Sequence, residues 1–251
     1  ARFPAWSSDG ESVRFMVCTE EGACTWKETH RTGGTLRTPA LPSGLPTDPE
    51  GKLAWSEDGA KVAYFGGDTL FVAEGAAEAR AVFSFDPKRR HYGALHSLAW
   101  SPDGTRIAFV NGRNRAAWPV DIDPASIWVV DILRGSGTEV VGGEAPNLRP
   151  VRRDDGTLLF APNRDGARAL YLLEVGPSGA RGQPRLIPGV ADPHTLSFSR
   201  ASERLVYARF TTDRNIRSYP LDPPAPVQLS GGDAVTKGNQ LPAQWFARPG
   251  Q

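Results

Sequence analysis

Short runs of apolar residues, alternating with polar ones, recur along this chain between clusters of turn-forming residues. Val13-Arg14-Phe15-Met16-Val17, Val62-Ala63-Tyr64-Phe65 and Ile107-Ala108-Phe109-Val110 are the clearest. Runs of this length, rich in β-branched and aromatic residues and bounded by Gly, Asp and Ser, read as strands. Each follows the same turn: Ala5-Trp6-Ser7-Ser8-Asp9-Gly10, Ala54-Trp55-Ser56-Glu57-Asp58-Gly59, then Ala99-Trp100-Ser101-Pro102-Asp103-Gly104. Two looser copies lie further on. Val151-Arg152-Arg153-Asp154-Asp155-Gly156 precedes Leu158-Leu159-Phe160, and Phe198-Ser199-Arg200-Ala201 precedes Leu205-Val206-Tyr207. A further start, Gln244-Trp245-Phe246-Ala247-Arg248-Pro249-Gly250, closes the series.

With Trp6, Trp55, Trp100, Val151, Phe198 and Trp245 as equivalents, the spacings are 49, 45, 51, 47 and 47 residues. A period of roughly 40–50 residues with several strands per unit is that of a β-propeller blade. The third unit predicts four strands: His96 to Ser101, Thr105 to Val110, Ser126 to Ile132 and Thr138 to Val141. The expected architecture is therefore a single all-β domain over residues 1–251, a propeller of four-stranded blades. Its repeats span approximately 1–49, 50–94, 95–145, 146–192 and 193–239, with a partial unit at 240–251. Five complete repeats plus an extra first strand fit a five-bladed ring or a six-bladed one completed by another segment. Residues 240 to 246 pairing with the first blade offer another closure.

The turns have a local mechanism. Asp bonds nearby backbone, and Gly takes the positive φ that a tight hairpin needs. On that reading Asp9, Asp58, Asp103 and Asp155 are structural, and replacing Gly104 by a β-branched residue should cost more than replacing Ser101. Trp6, Trp55 and Trp100 are expected in the core, each packing one blade on the next. The W-S-x-D-G turn, the I/V-A-F/Y strand after it and the Ile127-Trp128-Val129-Val130-Asp131 strand resemble the TolB-like propeller repeat. The resemblance covers essentially the whole chain. It implies the fold, whereas function varies among such propellers, which serve as scaffolds, lyases and peptidase gates.

Composition agrees with many turns: 27 Gly and 22 Pro make up about a fifth of the chain, against a usual share of about 12%. Charge narrows the partners. Twenty-nine Lys and Arg against 28 Asp and Glu leave a formal charge of +1, which argues against a nucleic-acid coat protein. No run of about 18 apolar residues predicts a membrane span. The Ala1 start lacks a basic segment followed by an apolar one, so any export signal is expected to have been removed. The two cysteines, Cys18 and Cys24, are too few for a zinc site and lack C-x-x-C spacing. A hairpin disulfide, or alternatively two buried thiols, is the reading; a bridge implies a periplasmic or extracellular protein.

Blade topology sends the Asp-Gly turns to one side and the longer insertions to the other: Pro39 to Gly51, Asp86 to Leu95, Asn111 to Ala125 and Asp192 to His194. Long loops on a rigid frame commonly carry function. His96 and His194 each stand four residues before their anchors, near the expected channel mouth. With His91 as a third ligand they are candidates for a divalent metal, as the histidines of TolB-like lyases would imply; otherwise they line a wet channel and no cofactor is held. Lys88, Arg89, Arg90, His91, Arg113, Arg115 and Arg164 form a predicted basic sector, with Trp118 as an aromatic anchor. No G-x-S-x-G elbow or other catalytic group is evident. The leading expectation is a non-enzymatic scaffold for a protein or peptide, contacted through Arg89, Arg90, His91, Arg113, Arg115 and Trp118. Its alternatives are a metal-dependent lyase or hydrolase on an acidic glycan, and an accessory or gating propeller split from a larger chain.

Overall fold

The computed structural model describes residues 2–7, 9–21, 23–42, 45, 52–91, 93–112, 124–143, 147–164, 167–199, 203–209, 217–218 and 233–234. Among the described residues the elements are strands apart from one 3-10 turn, Pro87–Arg89. Two units divide the chain, Ala1–Arg209 and Phe210–Gln251. In the first unit a three-stranded sheet comprises β1 (Arg2–Trp6), β2 (Ser12–Cys18) and β3 (Cys24–His30). A second sheet holds β4 (Leu53–Trp55), β5 (Lys61–Gly66), β6 (Thr69–Glu74) and β7 (Arg80–Ser84). The third has β8 (Ala94–Trp100), β9 (Arg106–Gly112), β10 (Ser126–Asp131) and β11 (Ser136–Val141). In the fourth are β12 (Asn147–Asp154), β13 (Thr157–Arg164), β14 (Ala167–Gly176) and β15 (Gly179–Ala191). A pair, β16 (Pro193–Ser199) and β17 (Arg204–Arg209), follows. The second unit contributes one short pair, β18 (Arg217–Ser218) with β19 (Asp233–Ala234).

Strand order within each sheet is sequential, and neighbouring strands are antiparallel. The third-unit strands fall within two residues of their predicted bounds. The first sheet differs from expectation in having three strands among the described residues, supplemented by an isolated bridge between Glu28 and Arg37. Pro39 and Pro42 follow that bridge closely, and neither supplies the N–H that a longer ladder requires.

The Trp-Ser-x-Asp-Gly turn is built in the same way three times. Ser7, Ser56 and Ser101 accept from the N–H of Gly10, Gly59 and Gly104 through their carbonyls. Their hydroxyls donate to Asp9, Asp58 and Asp103 at 2.5, 2.6 and 2.5 Å. The same hydroxyls accept from the N–H of Ser12, Lys61 and Arg106, while each Asp also accepts from a backbone N–H two residues on. Gly104 lies at φ +64°, as predicted. Ser101 is buried and also contributes to the turn. Its removal strands the Arg106 N–H and the Asp103 carboxylate, a loss of about 1–3 kcal/mol.

The core lies between the sheets. Ile107, Phe109, Trp128 and Val130 pack on Phe65, Leu70 and Phe85 of the second sheet, with Phe65 and Phe109 meeting edge-to-face at 5.0 Å. Alternate residues of the same strands, Ala108, Val110, Ile127 and Val129, pack on Leu158, Phe160, Leu173 and Val175 of the fourth sheet. Two of the three anchor Trp residues, Trp55 and Trp100, act against the preceding sheet. Trp100 is 8% exposed and donates its Nε1–H to the Ala54 carbonyl at 3.0 Å. Trp55 meets Trp26 edge-to-face at 6.0 Å, with Arg14 over its ring. Trp6 breaks the expected series: it is 54% exposed, because no sheet precedes its own among the described residues.

Cys18 and Cys24 are directly paired across β2 and β3 and form a disulfide. Replacing both by Ser should lower stability by about 2 kcal/mol, as expected for a short closed loop, in urea denaturation of the oxidised protein. The turn carboxylates predict acid sensitivity. Asp58 is held below its ordinary pKa by the Ser56 hydroxyl and the Ala60 N–H. For Asp103, burial acts upward, but the Ser101 hydroxyl and the Thr105 donors outweigh it. The stability gained is fully present above the ordinary carboxylate range and disappears as pH falls through the lower folded-state values. The thermal midpoint should therefore drop below about pH 4, and Asp58→Asn with Asp103→Asn should flatten that drop.

Candidate functional site

The side opposite the Asp-Gly turns is organised around one buried amide. Asn111, with 0% exposure, sits near the end of β9 in an otherwise apolar strand. Its Nδ2–H donates to the Arg89 carbonyl at 2.9 Å, and its Oδ1 accepts from the His91 N–H at 3.1 Å. Ser126, also fully buried, accepts from Asn111 Nδ2 at 3.4 Å and from Trp128 Nε1 at 3.0 Å. One Asn thus fastens the segment after β7 to the root of the insertion after β9. Asp86 caps the 3-10 turn by accepting from the Lys88 N–H.

The clamp fixes where the basic side chains go. Arg89 lies over the Trp128 ring, 4.3 Å from its centroid, and its Nη2 is 3.9 Å from Glu139 Oε2. The Arg89 side chain is still 56% exposed, and Lys88 is exposed as well. Arg90 is paired with Asp68. His91 packs its ring on Gly143, where an added Cβ would come within 2.5 Å of His91 Nε2.

Arg113, Arg115 and Trp118 lie outside the described residues, as do the Arg164 and His194 side chains, although the backbones of these last two lie in β13 and β16. The roots of the 113–123 insertion are nonetheless in contact, since a Cβ on Gly112 would fall 2.5 Å from that of Ala125. The insertion therefore leaves and rejoins the sheet beside Asn111.

His96 is 1% exposed, and its Nδ1 is hydrogen-bonded to Ser97 Oγ at 2.8 Å. Ser97 has a left-handed φ of +54° within a register shift between His96 and Ala99. Among the described residues no three His, Cys, Asp or Glu side chains gather as metal ligands; the His194 side chain lies outside those residues. Sequence reasoning missed the Asn111–Ser126–Trp128 mount. A polar residue closing the apolar run Ile107 to Val110 was the signal available.

No protein-family model matches the chain, and no curated protein sequence matches it. Solved structures do. TolB from Acinetobacter baumannii is similar at a TM-score of 0.55 and 14% identity, over 83% of this chain and 49% of that one. Puromycin hydrolase is similar at 0.54 and 13%, over 82% of this chain and 35% of the other. An oligogalacturonate lyase in complex with manganese matches at 0.47 and 17%, over 68% and 48%. The fold is that of a TolB-like β-propeller. The chain spans about half the length, or less, of these solved proteins.

The clamp carries its own prediction. Asn111→Ala should destabilise the protein by about 2 kcal/mol, the cost of unpairing buried backbone groups, in urea denaturation. Tryptic cleavage after Lys88, Arg89 and Arg90 should accelerate in the same variant.

Proposed function

We propose that this propeller is a non-enzymatic, extracytoplasmic scaffold that binds an acidic protein or peptide segment on the insertion side of its third blade. The observation that carries the reading is the Asn111 clamp, which holds two insertion roots together on a rigid sheet. Lys88 and Arg89 face solvent from one root; Arg113, Arg115 and Trp118 belong to the other. Arg90 and His91 set the shape of the first segment through Asp68 and Gly143. A mount of this kind lowers the ordering cost of binding. Cationic side chains near an aromatic suit a carboxylate-bearing segment, whose approach they would accelerate. The Cys18–Cys24 bridge supports a periplasmic or extracellular setting.

The test is fluorescence anisotropy with a labelled glutamate-rich peptide at low and high salt. Binding should weaken as salt screens the charges. It should fall about tenfold or more in the double variant Arg89→Glu, Arg113→Glu, and similarly in Trp118→Ala. Lys61→Glu, on the Asp-Gly-turn side, should bind as the unaltered protein does. Equal affinity for the unaltered protein and the double variant would remove this face from consideration.

A further inference from the structure

The fourth repeat departs from the others at the residue after its anchor. Where the earlier units carry Ser7, Ser56 and Ser101, this one carries Arg152. The substitution is tolerated because Arg152 takes over part of the turn, its Nη2 donating to the Asp155 carbonyl. The exchange leaves a residue of fixed positive charge in the interior, 5% exposed.

Register shows where that charge points. Arg152 is paired with Leu158, and Leu158 with Leu173; direct partners across an antiparallel ladder share a face. Leu158 and Leu173 pack against the third blade, so Arg152 points the same way. From the other side, Arg106 is paired with Asp131 next to Ala108 and Val129, which face the fourth blade. The two arginines therefore enter the same inter-blade seam at its Asp-Gly-turn rim. Burial holds the Arg152 guanidinium below its ordinary pKa, and the neighbouring Arg106 charge adds to that effect.

Among the described residues, three buried N–H-bearing atoms there lack an acceptor: Arg152 Nε, Arg152 Nη1 and Arg106 Nη1. Neither arginine forms an ion pair among the described residues, although carboxylates surround them. Those carboxylates serve the turns. Asp103 accepts from Ser101 and Thr105, and Asp131 from Leu133 and Arg134. Asp154 accepts from Gly156, and Asp155 from the Asp103 N–H, which ties the two turns together. Arg106 also lines a small, partly open cleft with Ser136, Thr138, Pro177 and Gly179. Unsatisfied guanidinium donors at a built position call for a bound acceptor, and planar guanidinium pairs with oxyanions better than with any neutral group.

We propose that the Asp-Gly-turn rim between the third and fourth blades binds one small oxyanion, a carboxylate or a phosphate, through Arg106 and Arg152. The surrounding turn carboxylates oppose multiple negative charge, so the bound form is singly charged. This site is on the side opposite the insertions and shares no residue with them.

The experiment is two-dimensional proton–nitrogen NMR of protein labelled with nitrogen-15 arginine, in which the buried Arg152 Nε–H is protected from exchange. Arg152→Met, or Arg152→Lys should the first fail to fold, assigns its resonance by loss. Sodium acetate, or in a second series sodium phosphate, then replaces sodium chloride at constant ionic strength. The expected result is a saturable shift of the Arg152 resonance, weakened about tenfold or more in Arg106→Gln, in line with loss of a charge-assisted hydrogen bond. A response to acetate indicates a carboxylate site, and a response to phosphate alone a phosphate site. A resonance that fails to move saturably with either anion, or moves with equal affinity in Arg106→Gln, overturns the proposal.

Discussion

Two-sided burial governs this structure. The third sheet has neighbours on both faces, so every residue of β9 from Ile107 to Val110 is buried and adjacent residues serve different interfaces. Such a sheet cannot shift register by one residue without exchanging its two faces. The small Ala108 faces the fourth sheet, while the bulky Phe109 fills the aromatic cluster with Phe65, Phe85 and Trp128. The Trp100 bond to the Ala54 carbonyl adds a directional contact to that non-directional packing.

Where burial is one-sided, polar contacts become more prominent. In the first sheet, buried Glu28 accepts from both Arg14 and Arg37, and Arg14 also reaches the Gly59 carbonyl in the next turn. The Arg14 bond to Gly59 joins the first sheet to the second near Trp55, while Trp6 faces solvent. Charged pairs with more exposed members contribute less. The shielded position of Glu28 makes its partners matter more, since losing either would leave a buried carboxylate poorly compensated.

The same frame gives its two sides different chemistry. On the turn side, short repeated corners consume their own polar groups, while among the described residues guanidinium donors of Arg106 and Arg152 stay unmet between the third and fourth corners. On the insertion side, a single Asn satisfies backbone from two segments and keeps Arg89 against Trp128 with much of its side chain exposed. Rigid sheets thus support two kinds of polar surface through different local devices. Neither device resembles a catalytic constellation of nucleophile and base among the described residues.

The sequence by itself determined the strands, their antiparallel order and the Asp-Gly corners, because hairpin pairing and turn hydrogen bonds join residues only a few positions apart. It also carried the likeness to TolB-like propellers and brought Cys18 opposite Cys24 through a short hairpin. Tertiary structure decided what each outward position met. The equivalence of Trp6, Trp55 and Trp100 is visible in the repeat, but their exposure differs because cover comes from a neighbouring sheet. The roles of Asn111 and Arg152 were likewise hidden. A polar residue in a strand has no fixed meaning until the backbone or charge beside it is known, and those neighbours are supplied by segments about 20 to 50 residues away.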